Sequence, residues 1–386
     1  MKILMYSHDT FGLGHLRRAR TIANSIAGTF DEASITIVSG SPLGQVYSYS
    51  DAVHVVQIPP VRKQGDGLYA AANGNATIEA VISARQAAID AVCDEVNPDL
   101  MIVDKEPLGL QREMLPALVE HKRRGARTVL GLREVLDTPE RLRSEWQRKG
   151  VFGHLEDLYD ELWVYGPASF YDPLQGIDLP GAVPERVFHT GFLRRDVPEV
   201  ERSTLPENSS GSTILVTAGG GGDGHALMDA AIAASKVPAM RRHRFSVVLG
   251  PFMSDADKAR IRDAGAGLGH VDMLEFRSDH EVLVRDADLV LGMCGYNTFC
   301  EILSFNRRAL FVPRVQPRLE QAIRAERAAE LGWAGLIWET EIGDAEWFAA
   351  AIDGALQAPP PMSAEIAPDL EGLTRINERV ARLMQQ

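Results

Sequence analysis

The run Ala218-Gly219-Gly220-Gly221-Gly222-Asp223-Gly224-His225 is hard to explain by folding alone. Each glycine adds chain entropy that folding must remove, so consecutive glycines serve neither a strand nor a helix. Backbone amides wrapped around a diphosphate at a helix N-terminus would account for them, and a surface turn is the plainer account. The loop lacks the Lys-Ser/Thr of a P-loop, which disfavours kinase or ATPase chemistry. A second loop, Cys294-Gly295-Tyr296-Asn297-Thr298, leads to Glu301. Gly295 lets a backbone approach a ligand closely. Thr298-x-x-Glu301 reads in two ways: as a capping box in which Glu301 bonds the Thr298 N–H, or as the site of a carboxylate that accepts two hydrogen bonds from a ribose diol. Spacing does not separate the two. His15 follows Gly12-Leu13-Gly14 at the opening of the first helix. Its imidazole suits a proton acceptor near neutral pH, though a phosphate contact or a cap is also open to it. Asp104-Lys105-Glu106 collects further polar groups at a strand end.

These residues need strands and helices to hold them. Ile3 to Tyr6 reads as a buried strand, and the helix after it places Leu16, Ala19, Ile22, Ala23 and Ile26 on one face. Gly12-x-Gly14 is followed by Arg17 at the third glycine position, and no acid follows the second strand, Ile35 to Val38. Both departures count against a nicotinamide or flavin fingerprint. Val53 to Ile58, Asp99 to Val103, Arg127 to Leu132 and Leu162 to Tyr165 read as further strands, with Thr77 to Val96 a helix and Pro59 to Asn75 a long loop. Val187 to Val197 reads as the exit from this half. Glu199 to Ser212, with two prolines, is the linker. The pattern then restarts. Thr213 to Thr217 is a strand, the glycine run opens the helix Ala226 to Ser235, and Phe245 to Leu249 and Val271 to Phe276 are strands. Leu289 to Leu291, a helix opening at Thr298, and Ala309 to Val312 form a βαβ unit. In open sheets of this kind ligands sit beyond the carboxyl ends of the strands, where the two loops fall.

At 386 residues the chain exceeds one typical core and is expected to form two domains. A net charge of -13 and a pI near 5.3 argue against a nucleic-acid backbone as the main partner. Arg17-Arg18-x-Arg20 could meet phosphate, but reads first as a solvated helix face. Cys93, Cys294 and Cys300 have neither metal-binding nor disulfide spacing. Asp286-Ala287-Asp288 mimics a metal-binding Asp-x-Asp at the entry to a strand and is read as structural. The N-terminus lacks a signal-peptide core and no apolar run reaches membrane-spanning length, so the expected location is the cytoplasm, with peripheral contact at the inner face of the membrane compatible with it.

Two such halves, with Gly-x-Asn-Thr-x-x-Glu in the second, resemble the glycosyltransferases of the B-type fold, and within them family 28, which includes the bacterial N-acetylglucosaminyltransferase of lipid II. Ile214 to Gly220 is similar to that family's strand and diphosphate loop, Glu275-Phe276-Arg277 to the segment that meets the base, and Gly295 to Glu301 to the stretch whose glutamate binds ribose. Phe311-Val312-Pro313 with Glu320-Gln321 is similar to the stretch whose paired glutamines bind the donor sugar. Gly191-Phe192-Leu193-Arg194-Arg195 is similar to the domain exit, whose arginine meets phosphate, and Gly12 to His15 to the loop facing the acceptor. Glu320 stands where the family has glutamine, and Phe192-Leu193 replaces Asn-Pro.

The resemblance implies an α/β chain of two Rossmann-like domains facing a cleft. Residues 1–197 would be the acceptor domain, 198–365 the nucleotide-sugar donor domain, and 366–386 a helix returning to the first. It implies a hexosyltransferase acting on a nucleotide-diphosphate sugar, UDP-sugar foremost, and on an unknown acceptor hydroxyl (saccharide, lipid-linked or small molecule). No cofactor or metal is expected. Donor-side residues would be Arg195, Gly219, Gly220, Gly221, Gly222, His225, Phe276, Arg277, Gly295, Asn297, Thr298, Glu301, Glu320 and Gln321. Gly12, Gly14 and Arg17 would face the acceptor, with His15 the leading base and Asp104 or Glu106 the alternatives. Retaining relatives carry Glu-x7-Glu ending at this glutamate, and Met293 at the first position favours inversion. A 2-epimerase or hydrolase, or a silent nucleotide-sugar sensor, are the competing classes; the epimerases show Ser-Gly-Gly where this chain has Cys294-Gly295-Tyr296.

Overall fold

The computed structural model describes residues 1–8, 14–63, 69–71, 76–197, 205, 211–220 and 222–385. The chain divides into two compact units, Met1–Leu193 with Glu371–Gln386, and Arg194–Leu370. The sequence placed these borders at 197 and 366. The first unit ends earlier and resumes later because Leu193 and Glu371 pair in an antiparallel bridge. Trp333 Nε1 donates to the carbonyl of Ile366 at 2.6 Å, within the second unit.

In the first unit β1 (Lys2–Ser7), α1 (Gly14–Thr29), β2 (Ser34–Ser39) and β3 (Val53–Gln57) are followed by the short β4 (Val61–Lys63) and β5 (Tyr69–Ala71), then α2 (Ile78–Val96), β6 (Leu100–Asp104), α3 (Leu115–Arg123), β7 (Arg127–Arg133), α4 (Pro139–Lys149), α5 (Phe152–Leu158), β8 (Glu161–Tyr165) and β9 (Val187–His189). Seven strands pair in parallel in the order β3-β2-β1-β6-β7-β8-β9. The inner strands are mostly apolar and buried on both faces because helices cover both faces of a parallel sheet. Leu4, Met101, Val103, Leu130 and Leu162 join Ile89, Leu118 and Trp146 from the helices in one core. The segment read as a loop from Pro59 to Asn75 instead carries an antiparallel hairpin, β4 with β5, in which Val61 pairs with Ala71. Three-residue strands are too short to show an alternation in sequence.

The second unit runs β10 (Thr213–Thr217), α6 (His225–Ser235), β11 (Arg244–Val248), α7 (Asp255–Gly265), β12 (Val271–Leu274), α8 (His280–Asp286), β13 (Leu289–Gly292), α9 (Tyr296–Ser304), β14 (Arg308–Phe311), α10 (Glu320–Glu330), β15 (Gly335–Leu336) and α11 (Ala345–Gln357). Its parallel sheet has the order β12-β11-β10-β13-β14-β15. Ile214, Val216, Leu289 and Leu291 pack with Met228, Ile232 and Phe348. Asp288, in the Asp-x-Asp run, accepts the Thr213 N–H at 2.8 Å, and Asp286 pairs with Arg285. Most of the predicted linker, 199–204 and 206–210, lies outside the described residues.

The last helix, α12 (Gly372–Gln385), belongs to the first unit. Ile376, Val380 and Leu383 recur at helical spacing and are buried, and the helix lies against α1. Asn377 Nδ2 donates to Thr29 Oγ1 at 2.8 Å, and Arg379 Nε to Glu161 at 3.0 Å. Gly372 is required where α12 begins: a Cβ there would lie 2.5 Å from the carbonyl oxygen of Gly191.

Each sheet reverses its order beside its first strand, between β1 and β6 and between β10 and β13. At such a switch point adjacent loops diverge to opposite faces and leave a crevice beyond the strand ends. The residues of chemical interest gather at these two places.

Candidate functional site

At the first switch point β1 feeds α1 and β6 ends at Asp104. His15, in the first turn of α1, holds its Nδ1 against the Asp104 carboxylate. Arg18, one turn on, donates to the same carboxylate from Nε at 2.8 Å and from Nη2 at 2.6 Å. Arg18 is only 1 % exposed, and Arg17 beside it is also buried. The Arg17-Arg18-x-Arg20 run is therefore not a solvated face, because the helix turns Arg18 inward to meet a buried charge. Arg20 lies at the edge, its Nε donating to the Ser48 carbonyl at 2.9 Å.

Burial alone would raise the pKa of Asp104, but the Arg18 guanidinium and His15 outweigh it and hold the carboxyl far below its usual range. Asp104 is thus an ionised partner of His15. Burial pushes the His15 pKa down, opposed by the charge of Asp104, and the net direction is downward. With Nδ1–H given to Asp104, Nε2 of a neutral imidazole keeps its lone pair for a substrate proton. Glu106 is held by Lys149 Nζ and by Lys105 Nζ at 3.1 Å. Burial would raise its pKa, and the lysines and His8 turn the shift downward, so Glu106 is also kept as a carboxylate. Lys105 adopts a left-handed φ of 67°, unusual for a side-chain-bearing residue and found where surrounding structure over-determines the backbone. Behind this group His8, its ring 5.7 Å from that of His15, is buried, and burial drives its pKa well down. Gly14 opens α1, and Gly12 lies outside the described residues.

At the second switch point β10 runs into the glycine loop and α6, and β13 into the Cys294–Thr298 turn and α9. Gly224 and Gly295 are the N-caps, and neither helix start has a side-chain cap hydrogen bond. Both therefore present amide N–H groups beyond adjacent strand ends. A Cβ on Gly219, Gly222 or Gly295 would meet no described atom within 4 Å, so the space before the loops is open. Gly219 has a φ of 62° and needs glycine for its backbone, and Gly224 needs it for space, with Ala218 Cβ 1.9 Å from a built Cβ. Gly221 lies outside the described residues, and His225 is exposed in the first turn of α6.

The capping box is not formed. Gly295 caps α9, so the helix begins at Tyr296, two residues before the predicted cap Thr298. Glu301 is turned instead toward α8, accepting from His280 Nδ1 at 3.0 Å. His280 Nε2 lies 3.0 Å from Thr217 Oγ1, to which the Gly219 N–H donates at 3.4 Å. With Nδ1–H given to Glu301, Nε2 accepts the Thr217 hydroxyl, and the chain Gly219, Thr217, His280, Glu301 runs in one hydrogen-bond direction. Glu301 is 0 % exposed, so a ribose reaches its carboxylate only if its cover moves.

Arg195 and Asn297 meet each other, Arg195 Nη2 donating to Asn297 Oδ1 at 2.7 Å; Thr298 follows in the same turn of α9. Phe276 is half-buried, and Arg277 pairs with Asp279 at 2.7 Å. Glu320 and Gln321 open α10, and both meet Arg314: Arg314 Nη2 donates to Glu320 at 3.2 Å, and Gln321 Oε1 accepts the Arg314 N–H at 3.4 Å. Arg314 also pairs with Asp223 of the glycine loop. Arg324, fully buried, donates to the carbonyl of Cys294 at 2.9 Å and fixes the turn, in which Cys294 has a φ of 60°.

His280 and Arg314 were not singled out from the sequence, and Arg18 only as part of a basic run read as solvated. The one available signal was the i, i+3 spacing of His15 and Arg18 on a helix edge. The partners of His280 lie 21 and 63 residues away, and Asp223, which ties Arg314 to the glycine loop, lies 91 away.

Residues 213–375 match the family model described as the glycosyltransferase family 28 C-terminal domain. No curated protein matches the chain. Among solved structures, the glycotransferase of kitacinnamycin is 16% identical, with 100% of this chain and 98% of that one covered and a TM-score of 0.63. The glycosyltransferase VinC in complex with dTDP is 17% identical, with 100% and 99% covered and a TM-score of 0.61. A candidate UDP-N-acetylglucosamine 2-epimerase from Listeria monocytogenes is 15% identical, with 100% and 95% covered and a TM-score of 0.63. The chain has the two-domain, parallel-sheet fold of the B-type glycosyltransferases and resembles family 28 through its second unit.

Proposed function

We propose that this protein moves a sugar from a nucleoside diphosphate to an acceptor hydroxyl, with inversion and without a metal ion. The observation that carries the reading is the second switch point. A glycine loop and two helix N-termini without side-chain caps face open space there, inside the segment that matches the family 28 domain. Such a place suits a diphosphate, because helix-start N–H groups and two helix dipoles meet its charge.

In the proposed reaction the acceptor oxygen bonds to the anomeric carbon as the bond to the diphosphate oxygen breaks. The hydroxyl proton passes to His15 Nε2, and the electron pair leaves with the nucleoside diphosphate. Asp104 steadies the imidazolium that forms, and Arg18 keeps Asp104 ionised. The amides of the glycine loop and of the α9 start receive the leaving charge, which is the work a metal would otherwise do. Glu320 and Gln321 are assigned to the donor sugar, and Phe276 and Arg277 to the base. Arg195, through Asn297, steadies the α9 turn. A UDP-sugar as donor, a cytoplasmic location and peripheral membrane contact belong to the same proposal. Hydrolysis or 2-epimerisation of a nucleotide sugar is the second reading, supported by the Listeria neighbour on the same fold.

Calorimetry of the wild-type protein with UDP, dTDP, GDP and ADP tests the donor side. Binding of one of them, with affinity lost on removal of the β-phosphate, is the expected result. No binding to any of them overturns the reading.

A further inference from the structure

A phosphate-binding loop that carries its own aspartate has a problem. Asp223 stands among the glycines, beside the place proposed for a diphosphate. An unscreened carboxylate there would repel the ligand. Asp223 pairs with Arg314, which follows β14 and therefore reaches across from the strand beyond β13. The same guanidinium donates to Glu320 at 3.2 Å. Arg314 thus joins the loop proposed for phosphate to the helix start proposed for the sugar.

The neighbouring guanidinium groups are engaged elsewhere: Arg195 with Asn297, Arg277 with Asp279 and Arg324 with the Cys294 carbonyl. The Arg314 side chain is 26 % exposed; its Nε is buried without a hydrogen-bond partner among the described residues, so a ligand would be taken by the Nη group that now holds Asp223. Asp223 is the more exposed partner, at 42 %, and is the member of the pair that can swing out into water.

We infer that Arg314 is a ligand of the donor diphosphate and that Asp223 is its placeholder, a carboxylate that occupies the guanidinium until the diphosphate displaces it. This rests on the donor reading above. Planar guanidinium groups favour two-oxygen contacts, which a carboxylate and a phosphate both offer, so the exchange keeps the geometry while the partner changes. Glu320 stays on the other arm of the fork, so arrival of the diphosphate would be felt at the residue assigned to the sugar.

The sign of one substitution separates this from a structural tie. The probe is the diphosphate that wild type binds from the panel of UDP, dTDP, GDP and ADP, measured by calorimetry beside its parent nucleoside. Arg314→Met should weaken the diphosphate by roughly 10–100-fold, the range for a lost charge-assisted hydrogen bond, and leave the nucleoside unchanged. Arg314→Lys should lie between, since charge survives without the fork. Asp223→Asn should bind the diphosphate several-fold more tightly, because the guanidinium is released and a like charge removed. A purely structural tie predicts that Asp223→Asn and Arg314→Met weaken binding alike, and that result overturns the inference. Unchanged affinity in folded Arg314→Met and Arg314→Lys, checked by thermal midpoint, overturns it too while the donor reading stands. Failure of wild type to bind any diphosphate removes both.

Discussion

His15 has what a general base needs: a ring nitrogen held by a carboxylate, and a second one left over. His15→Ala should lower turnover by about 10²–10⁴-fold and leave donor affinity unchanged, as steady-state kinetics and calorimetry on one preparation would show. The pH dependence follows from the direction of its shift. Burial lowers the His15 pKa from its ordinary 6.5, so the ring stays neutral below that value. The acid limb of kcat/KM should therefore lie below pH 6.5, with activity lost as pH falls through the lowered pKa. Asp104→Asn removes the charge that opposes the shift, so the limb should move further down while the rate also drops. A limb at or above 6.5 would give the base to another group. At this scale the sequence named His15 and Asp104 but held them as alternatives. They lie 89 residues apart, and only the pairing of β1 with β6 brings them together. Arg18 was hidden because a basic run reads as solvated until its buried partner is known.

Strand-loop-helix units were the legible elements, since buried parallel strands and glycine loops leave a local pattern. The α9 cap and the β4–β5 pair were not: a cap depends on where a side chain turns, and three-residue strands show no alternation. Glu301 sits at the right spacing for a capping box, yet His280 claims it from another helix. Two substitutions in the glycine loop should part cleanly. A Cβ at Gly222 would meet no described atom within 4 Å, so Gly222→Val should keep the thermal midpoint while abolishing diphosphate binding. Gly224→Ala drives a methyl into Ala218 and should cost about 1–3 kcal/mol of stability before binding is considered. Equal midpoints for the two would mean that the loop relaxes freely. Glu301→Gln keeps an oxygen to accept from His280 Nδ1 and removes the charge. If Glu301 also meets a ribose, donor binding should weaken by about 1–3 kcal/mol by calorimetry. Unchanged affinity in the folded variant would leave Glu301 as a buried strut for the loop.

For the whole molecule, the repeat of the strand-helix pattern and the polar stretch after Val197 announced two halves. The hinge of the count, Leu193 with Glu371, was invisible because it joins residues far apart in the chain. The amphipathic spacing of Ile376, Val380 and Leu383 marked the last helix as covering an apolar surface, without saying which. The proposal divides the chemistry between the two switch points, with His15 as base beside one sheet and the glycine loop as anion site beside the other. The division predicts that a nucleotide sugar is stable in the presence of this protein until a hydroxyl acceptor is supplied. The direct test is release of nucleoside diphosphate from a UDP-sugar panel with and without an acceptor panel of saccharides, lipid-linked sugars and small alcohols, with the sugar product analysed for anomeric configuration. The account predicts release only with acceptor, and a glycoside of inverted configuration. Equal release without acceptor, giving free sugar or its 2-epimer, would contradict it.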